Sequence, residues 1–231
     1  MKRAPMQVTL LDAMGSDLTV VNAARVSFDK ESEWERIESI GDVDDVQLSE
    51  KDAKLINYLA KHNHWTVFGH CFAQFRIKAP IFVARQLVKH QVGLVWNEVS
   101  RRYVESEPEF WFPDEWRGRP EGSMKQGSSG VVDPFQPNME INVYTSSVVA
   151  NSLKCYNDLL AAGVAPEQAR MVLPLNAHTE WYWSGSLAAW SRVCKLRLDP
   201  HAQAETRTVA LMINDEMEKL FPVSWKSLLL L

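Results

Sequence analysis

The chain has 231 residues, with 25 Lys+Arg against 29 Asp+Glu, 46% hydrophobic residues and three cysteines, for a formal net charge of −4. That composition excludes a disordered chain, and no apolar run reaches the 18 residues that a membrane span needs. Gln7, Thr9 and Asp12 interrupt the apolar stretch that a secretory leader would require, and three scattered cysteines without a CxxC pair point to a reducing, cytoplasmic setting.

In chain order, residues 6–22 read as a strand, with Val8 and Leu10 alternating, a turn at Gly15-Ser16-Asp17 and a short apolar stretch from Leu18 to Ala24. The acidic stretch over about 30–47 has no clean period and reads as a loop. Ser49 followed by Asp52 resembles a capping box, which opens a helix over roughly 50–61. A loop is expected at His64–Phe68, then a half-buried strand over Cys71–Lys78, where apolar and polar residues alternate. Pro80 suits the first position of a helix running to about His90. Residues 113–138 are rich in Gly, Pro and Ser and form a long excursion. Helices follow at about 141–161 and Pro166–Val172, then an aromatic strand at Thr179–Ser184 and helices at Leu187–Leu196 and His201–Leu220. Strand and helix alternate without a regular βαβ repeat, so the fold class is α+β. With no internal repeat and no obvious linker, residues 1–231 are expected to form a single domain.

Charge is unevenly spread. Glu31–Asp52 holds nine acidic residues against Arg36 and Lys51, a local charge of −7, which leaves +3 for the remainder. Arg76–Tyr103 holds six basic residues against Glu98 alone, a patch suited to phosphate.

Four groups of residues carry chemistry. On a helix, Gln86, Lys89 and His90 would share one face and present an amide, an ammonium and an imidazole; taken alone, these residues read better as a solvated face with a satisfied histidine. In Asn97–Tyr103, an extended backbone would point Glu98, Ser100 and Arg102 the same way, able to read a sugar hydroxyl and clamp a phosphate. Ser100 lacks the glycine elbow of a nucleophilic serine, so it reads as a binding hydroxyl. His62, His64, His70 and Cys71 could serve a metal-dependent hydrolase, although their spacing matches no zinc signature. Finally, Arg197 lies in an apolar stretch, so either Asp199 or an anionic ligand should pair with it.

Taken together, several segments resemble the flavin-dependent thymidylate synthases. They are Ala23–Asp29, His64–His70, Lys78–Gln86, Asn97–Tyr103, Ala169–Asn176, Leu196-Arg197, His201–Gln203 and Glu205, in that order. The family signature is Arg-His-Arg, seven residues, then Ser. Here Lys89-His90-Gln91 takes its place, and eight residues separate Gln91 from Ser100. Lys lacks the bidentate fork of Arg, and Gln lacks its charge.

The resemblance implies a single α+β domain with a central mixed or antiparallel sheet flanked by helices. It implies methylation of dUMP to dTMP, with methylenetetrahydrofolate as carbon donor and reduced FAD, regenerated by NADPH, as hydride donor. It implies a homotetramer with active sites between subunits, and neither nucleic acid nor membrane as partner. Gln86, Lys89, Glu98, Ser100, Arg101, Arg102, Arg170 and Arg197 match dUMP-binding positions, and Arg197 matches the arginine that polarises the uracil. Thr66, Lys89, His90, Gln91, Glu98, Ser186 and Arg192 match FAD positions, and His64 matches a histidine near flavin and folate. No metal is implied. Unlike the classical thymidylate synthases, the chain has no Cys in a Pro-Cys-His setting, and Cys71, Cys155 and Cys194 read as small buried apolar residues. Three rivals stand beside this reading: the metal-dependent hydrolase, a nucleotide-binding relative without activity, and a nucleic-acid module built on Arg76–Tyr103. The pI of about 5.9 disfavours the last of these.

Overall fold

Four strands, β1 (Gln7–Met14), β2 (Phe72–Pro80), β3 (Leu94–Glu98) and β4 (His178–Ser186), form a sheet in the order β1-β2-β4-β3. The structure, a computed structural model, describes residues 1–37, 46–104, 106–120 and 127–230. All three pairings in the sheet are antiparallel, so of the two forms expected the antiparallel one is realised. A parallel pairing lies outside it, between Lys2–Arg3 and Glu109–Phe110.

Eight α-helices accompany the sheet among the described residues: α1 (Asp17–Arg25), α2 (Glu50–Lys61), α3 (Ile81–Leu87), α4 (Ile141–Ala161), α5 (Pro166–Ala169), α6 (Leu187–Arg197), α7 (Ala204–Leu220) and α8 (Pro222–Leu229). Alternate residues of a strand share a face, so Ala73, Phe75, Ile77 and Ala79 of β2 turn inward together. Trp181 and Trp183 of β4, opposite Ile77 and Phe75, are buried with them. Trp190 of α6 meets Phe75 and Trp183 edge-on, with ring centroids 5.0 and 4.8 Å apart. Its indole N–H donates to the Ala73 carbonyl at 3.1 Å, which satisfies the one polar atom this ring brings into the core.

Two contacts tie distant parts of the chain together. The turn after β1 places Gly15 at φ +88°, where a Cβ would lie 2.7 Å from Cys71 Sγ, so glycine alone fits. The buried Asp17 carboxylate accepts the Val223 and Ser224 backbone N–H groups, each at 2.9 Å, and so caps α8 from the start of α1. A second, smaller core beneath α4 gathers Phe110, Val149, Leu153, Tyr156, Ala169 and Ala177.

The structure corrects several expectations. Pro80 ends β2 and precedes α3 rather than opening it. It pairs with His178 beyond Lys78, the last residue that β1 reaches, so its missing N–H costs the ladder nothing. Helix α3 stops at Leu87, short of His90, and α7 starts at Ala204 rather than His201. His64–Phe68 is largely a 3₁₀ turn, Trp65–Gly69. Strand β3 ends at Glu98, and Arg101–Tyr103 turns, so Glu98, Ser100 and Arg102 do not lie along one extended face. Ser49 accepts the Asp52 N–H at 3.1 Å, but the Asp52 carboxylate pairs with Arg25 instead of completing a capping box. In the acidic stretch, Glu35–Arg36 pairs with Val46–Gln47, and residues 38–45 lie outside the described residues. The 113–138 excursion, described except for 121–126, pairs Arg117–Gly118 with Ser129–Val131 and Phe135–Gln136 with Met139–Glu140. Cys71 and Cys194 are buried, whereas Cys155 is exposed.

Candidate active site

The polar residues of the α3 region diverge because the helix ends early. Gln86, on the last turn, faces α7, where the Thr206 hydroxyl donates to its Oε1. His90 lies beyond the helix, and its N–H bonds to the Leu87 carbonyl at 3.0 Å. That turn brings the ring to α6, where Arg197 Nε donates to His90 Nε2 at 2.9 Å. Lys89 and Gln91 are exposed on either side.

Arg197 therefore does not pair with Asp199. Asp199 bonds instead to His201, accepting its backbone N–H at 2.7 Å and lying 3.0 Å from its Nδ1. Burial pushes the His90 imidazolium to deprotonate, and the positive Arg197 adds to this, so His90 titrates below its ordinary value. Burial likewise lowers Arg197, which still remains charged as arginine does. A neutral His90 accepting at Nε2 must carry its proton at Nδ1.

Gln86 and Arg197 line one cavity of about 360 Å³, together with His201, Gln203 and Arg117. Arg117 comes from the excursion, held by donating to Ser128 Oγ at 2.9 Å and by an ion pair with Glu205 at 2.5 Å. Burial pushes the Glu205 carboxyl up, but the Arg117 pair and a Gln203 hydrogen bond outweigh it and leave the group below the usual carboxylate range. Nothing in the sequence pattern of 113–138 pointed to Arg117, nor anything near His201 to Thr206.

A second group gathers at the end of β3. Glu98 accepts the Thr179 hydroxyl at 2.6 Å and the Trp96 indole N–H at 3.2 Å. Ser100 Oγ accepts from Arg102 Nε at 3.1 Å, and Arg101 donates to the Ser106 carbonyl at 2.7 Å. Arg101 lines a different cavity, of about 430 Å³, with Lys2, Lys78, Glu109 and His178. There Lys2 and Lys78 both bond Glu109 and pull its carboxyl down to about 2. Arg170 is exposed on a 3₁₀ turn, bonded only to the Glu167 carbonyl among the described residues. Within one chain, then, the cavity of Gln86 and Arg197 is not the one that Arg101 lines, and Glu98, Ser100 and Arg102 line neither.

The remaining candidates surround the altered triplet. Gly93, at φ +74°, brings the Gln91–Leu94 turn against the start of α6, where a Cβ would sit 3.1 Å from Ala189 Cβ. Arg192 Nη2 donates to the Val92 carbonyl at 2.9 Å, and Ser186 caps α6 by accepting the Ala189 N–H at 3.3 Å. Thr66 and His64 are exposed, and the His64 ring stacks at 6.3 Å on Tyr58. The donor set suits a flavin dinucleotide: Lys89 and Arg192 supply cations for a pyrophosphate, and Gln91 and Thr66 supply neutral hydrogen-bonding groups.

The hydrolase constellation has no geometric basis. The Cys71 thiol is buried, donates to the Ser16 carbonyl at 3.4 Å and is pushed by burial up to about 11. His62, His64 and His70 are exposed. Among the described residues, no three His, Cys, Asp or Glu side chains converge on a metal position.

Comparison with known proteins decides between the surviving readings. The family model described as thymidylate synthase complementing protein matches residues 9–223. The chain belongs to the flavin-dependent thymidylate synthase family. A flavin-dependent thymidylate synthase from Thermosipho africanus is 38% identical over 95% of this chain and 89% of its own length. One from Thermus thermophilus is 36% identical, over 94% and 73% respectively. The structure of the UMP/dUMP methylase PolB from Streptomyces cacaoi, bound with 5-Br dUMP, is 28% identical with a TM-score of 0.81, covering 98% of this chain and 96% of that one. The resemblance carried by the sequence motifs is thereby borne out at the level of family and fold.

Proposed function

We propose that this enzyme methylates dUMP to dTMP, with methylenetetrahydrofolate as carbon donor and FAD, reduced by NADPH, as cofactor. The observation that carries the reading is the cavity shared by Gln86 and Arg197, with the guanidinium braced by a neutral imidazole. A fixed cation beside a pyrimidine carbonyl stabilises negative charge as it develops on the ring, as oxyanion-hole donors do. No side-chain nucleophile is needed, which agrees with the burial of Cys71 and Cys194. When bound, FAD supplies the hydride, and the protein supplies orientation and electrostatics. Lys89, His90, Gln91, Arg192 and Thr66 would hold it, with Ser186 and Glu98 supporting the same surface and His64 near the flavin and folate.

Arg197 and Gln86 hold the base, while Glu98, Ser100, Arg101, Arg102 and Arg170 bind the sugar and phosphate. Because no residue of Glu98–Arg102 lines the cavity of Gln86 and Arg197 within one chain, one complete site would take the two groups from different subunits, which favours the homotetramer. Free thiols at Cys71, Cys155 and Cys194 fit the reducing cytoplasm.

The test is incubation with dUMP, methylenetetrahydrofolate, FAD and NADPH, with chromatography of the nucleotides. The expected product is dTMP, and none above a no-enzyme control would overturn the reading. The same incubation with UMP decides whether the ribonucleotide is also taken.

A further inference from the structure

Thr206 is buried completely in the first turn of α7, in contact with a residue 120 positions earlier, and no motif singles it out. A buried hydroxyl needs an acceptor for its proton, because leaving it unpaired forfeits the hydrogen bond it made to water. Inside a helix, threonine commonly uses the carbonyl four residues back. Thr208, two positions on, does so with Ala204 at 3.0 Å. For Thr206 the corresponding carbonyl belongs to Ala202, before the helix starts, and the hydroxyl donates instead to Gln86 Oε1.

That bond sets which end of the carboxamide is available. An amide has one acceptor end and one donor end. With Oε1 engaged by Thr206, the Gln86 NH₂ is the end left for the cavity that Gln86 lines with Arg197. Arg197 contributes only donors. We infer that Thr206 is a positioning residue for pyrimidine specificity: by fixing the Gln86 carboxamide it presents the NH₂ end beside the donors of Arg197, so that these two side chains favour the 4-keto group of a uracil nucleotide over the 4-amino group of a cytosine nucleotide.

The physical basis is the penalty for facing donor against donor. A cytosine amino group set against the Gln86 NH₂ leaves both unpaired in a desolvated site, and sites built on hydrogen bonds discriminate through such losses. If the carboxamide were free to turn, its oxygen could accept from the cytosine amino group, and the discrimination would fall. Thr206 removes that freedom without touching the nucleotide.

This inference rests on the dUMP reading above. Its test is titration calorimetry of the FAD-loaded enzyme with dUMP and with dCMP. Wild type is expected to bind dUMP roughly 100-fold or more tightly than dCMP. Thr206→Val keeps the volume and removes the hydroxyl, and it should narrow that ratio about tenfold; Thr206→Ser should restore it. Gln86→Glu, which presents only acceptors, should shift the preference toward dCMP and decides the matter should Thr206→Val not fold. A wild-type enzyme that does not bind dUMP condemns the dUMP reading. If wild type does bind dUMP, an unchanged ratio in folded Thr206→Val, or an unchanged preference in Gln86→Glu, overturns the role of Thr206.

Discussion

The two groups of residues proposed for the nucleotide site are built in opposite ways. Around Gln86 and Arg197, each functional side chain is braced by another side chain distant in sequence: Thr206 of α7 holds Gln86, and His90, in the turn after α3, holds Arg197. At the end of β3, apart from Glu98, the groups bond to near neighbours in sequence: Arg102 to Ser100, Arg101 to Ser106. Tyr103 there is 77% exposed. The first group is organised by the subunit's own core before any ligand arrives. The second is held only locally and turned outward, as expected of residues that finish a site on a neighbouring subunit. Preorganisation belongs where charge develops, and adaptable contacts serve where a phosphate must be gripped.

The largest test of this contrast is Arg197→Ala. Removing a preorganised donor that faces developing charge should lower turnover by about 10³-fold, while circular dichroism and FAD binding stay unchanged. Retained turnover would show that the braced group is structural. Next, Arg102→Ala should raise the KM for dUMP about 10–100-fold, the size of a lost charge-assisted hydrogen bond, with less effect on kcat. A fall in kcat alone would place Arg102 at the chemistry rather than at the phosphate.

His90 adds a pH dependence. Its folded-state value lies below the usual 6.5, so the imidazole is neutral at pH 7 and accepts from Arg197. As pH falls below 6.5 and through the lowered folded value, the ring protonates and can no longer accept. The unfolded state binds that proton first, so stability also declines in the acid direction. Activity should show an acid limb with its midpoint below pH 6.5, and His90→Gln, whose amide oxygen still accepts, should flatten that limb at a cost of about tenfold in kcat. A limb unchanged in the variant would assign it to another group.

The smallest effects concern stability. Arg117→Met leaves the buried Glu205 without its ion-pair partner, so urea unfolding should show a loss of about 2 kcal/mol, discounted for the partial exposure of Arg117. Tyr103→Ala on the outward group should change stability by less than about 0.5 kcal/mol. Equal losses from the two would erase the distinction between them.

Local chemistry made much of the fold legible. The Cys71–Lys78 alternation became β2, the 141–161 helix has those limits in the structure, and Pro166 opens α5 at the first position as read. The misreadings arise where distant partners override local preference. Pro80 looks like a helix start until His178 pairs with it, and Asn97–Tyr103 looks like a strand until the ladder to β4 ends at Glu98. The site shows the same division. Gln86 and Arg197 could be singled out by motif, but the residues that aim them could not. His90 matches a flavin position, Thr206 lies in no motif, and Asp199, the expected partner of Arg197, bonds to His201 instead. Hydrogen bonds across 107 and 120 residues leave no periodic trace in a sequence.

The cap that Asp17 places on α8 spans 206 and 207 residues. During synthesis at about 5–20 residues per second, the carboxylate emerges roughly ten seconds or more before its partners exist. The cap on α8 therefore forms only after that helix is made, and Asp17 stays without these two partners until then. Closing so long a loop is a late, slow event. The contact between α1 and α8 is thus expected to add its share of stability late, after the sheet and the intervening helices have been made.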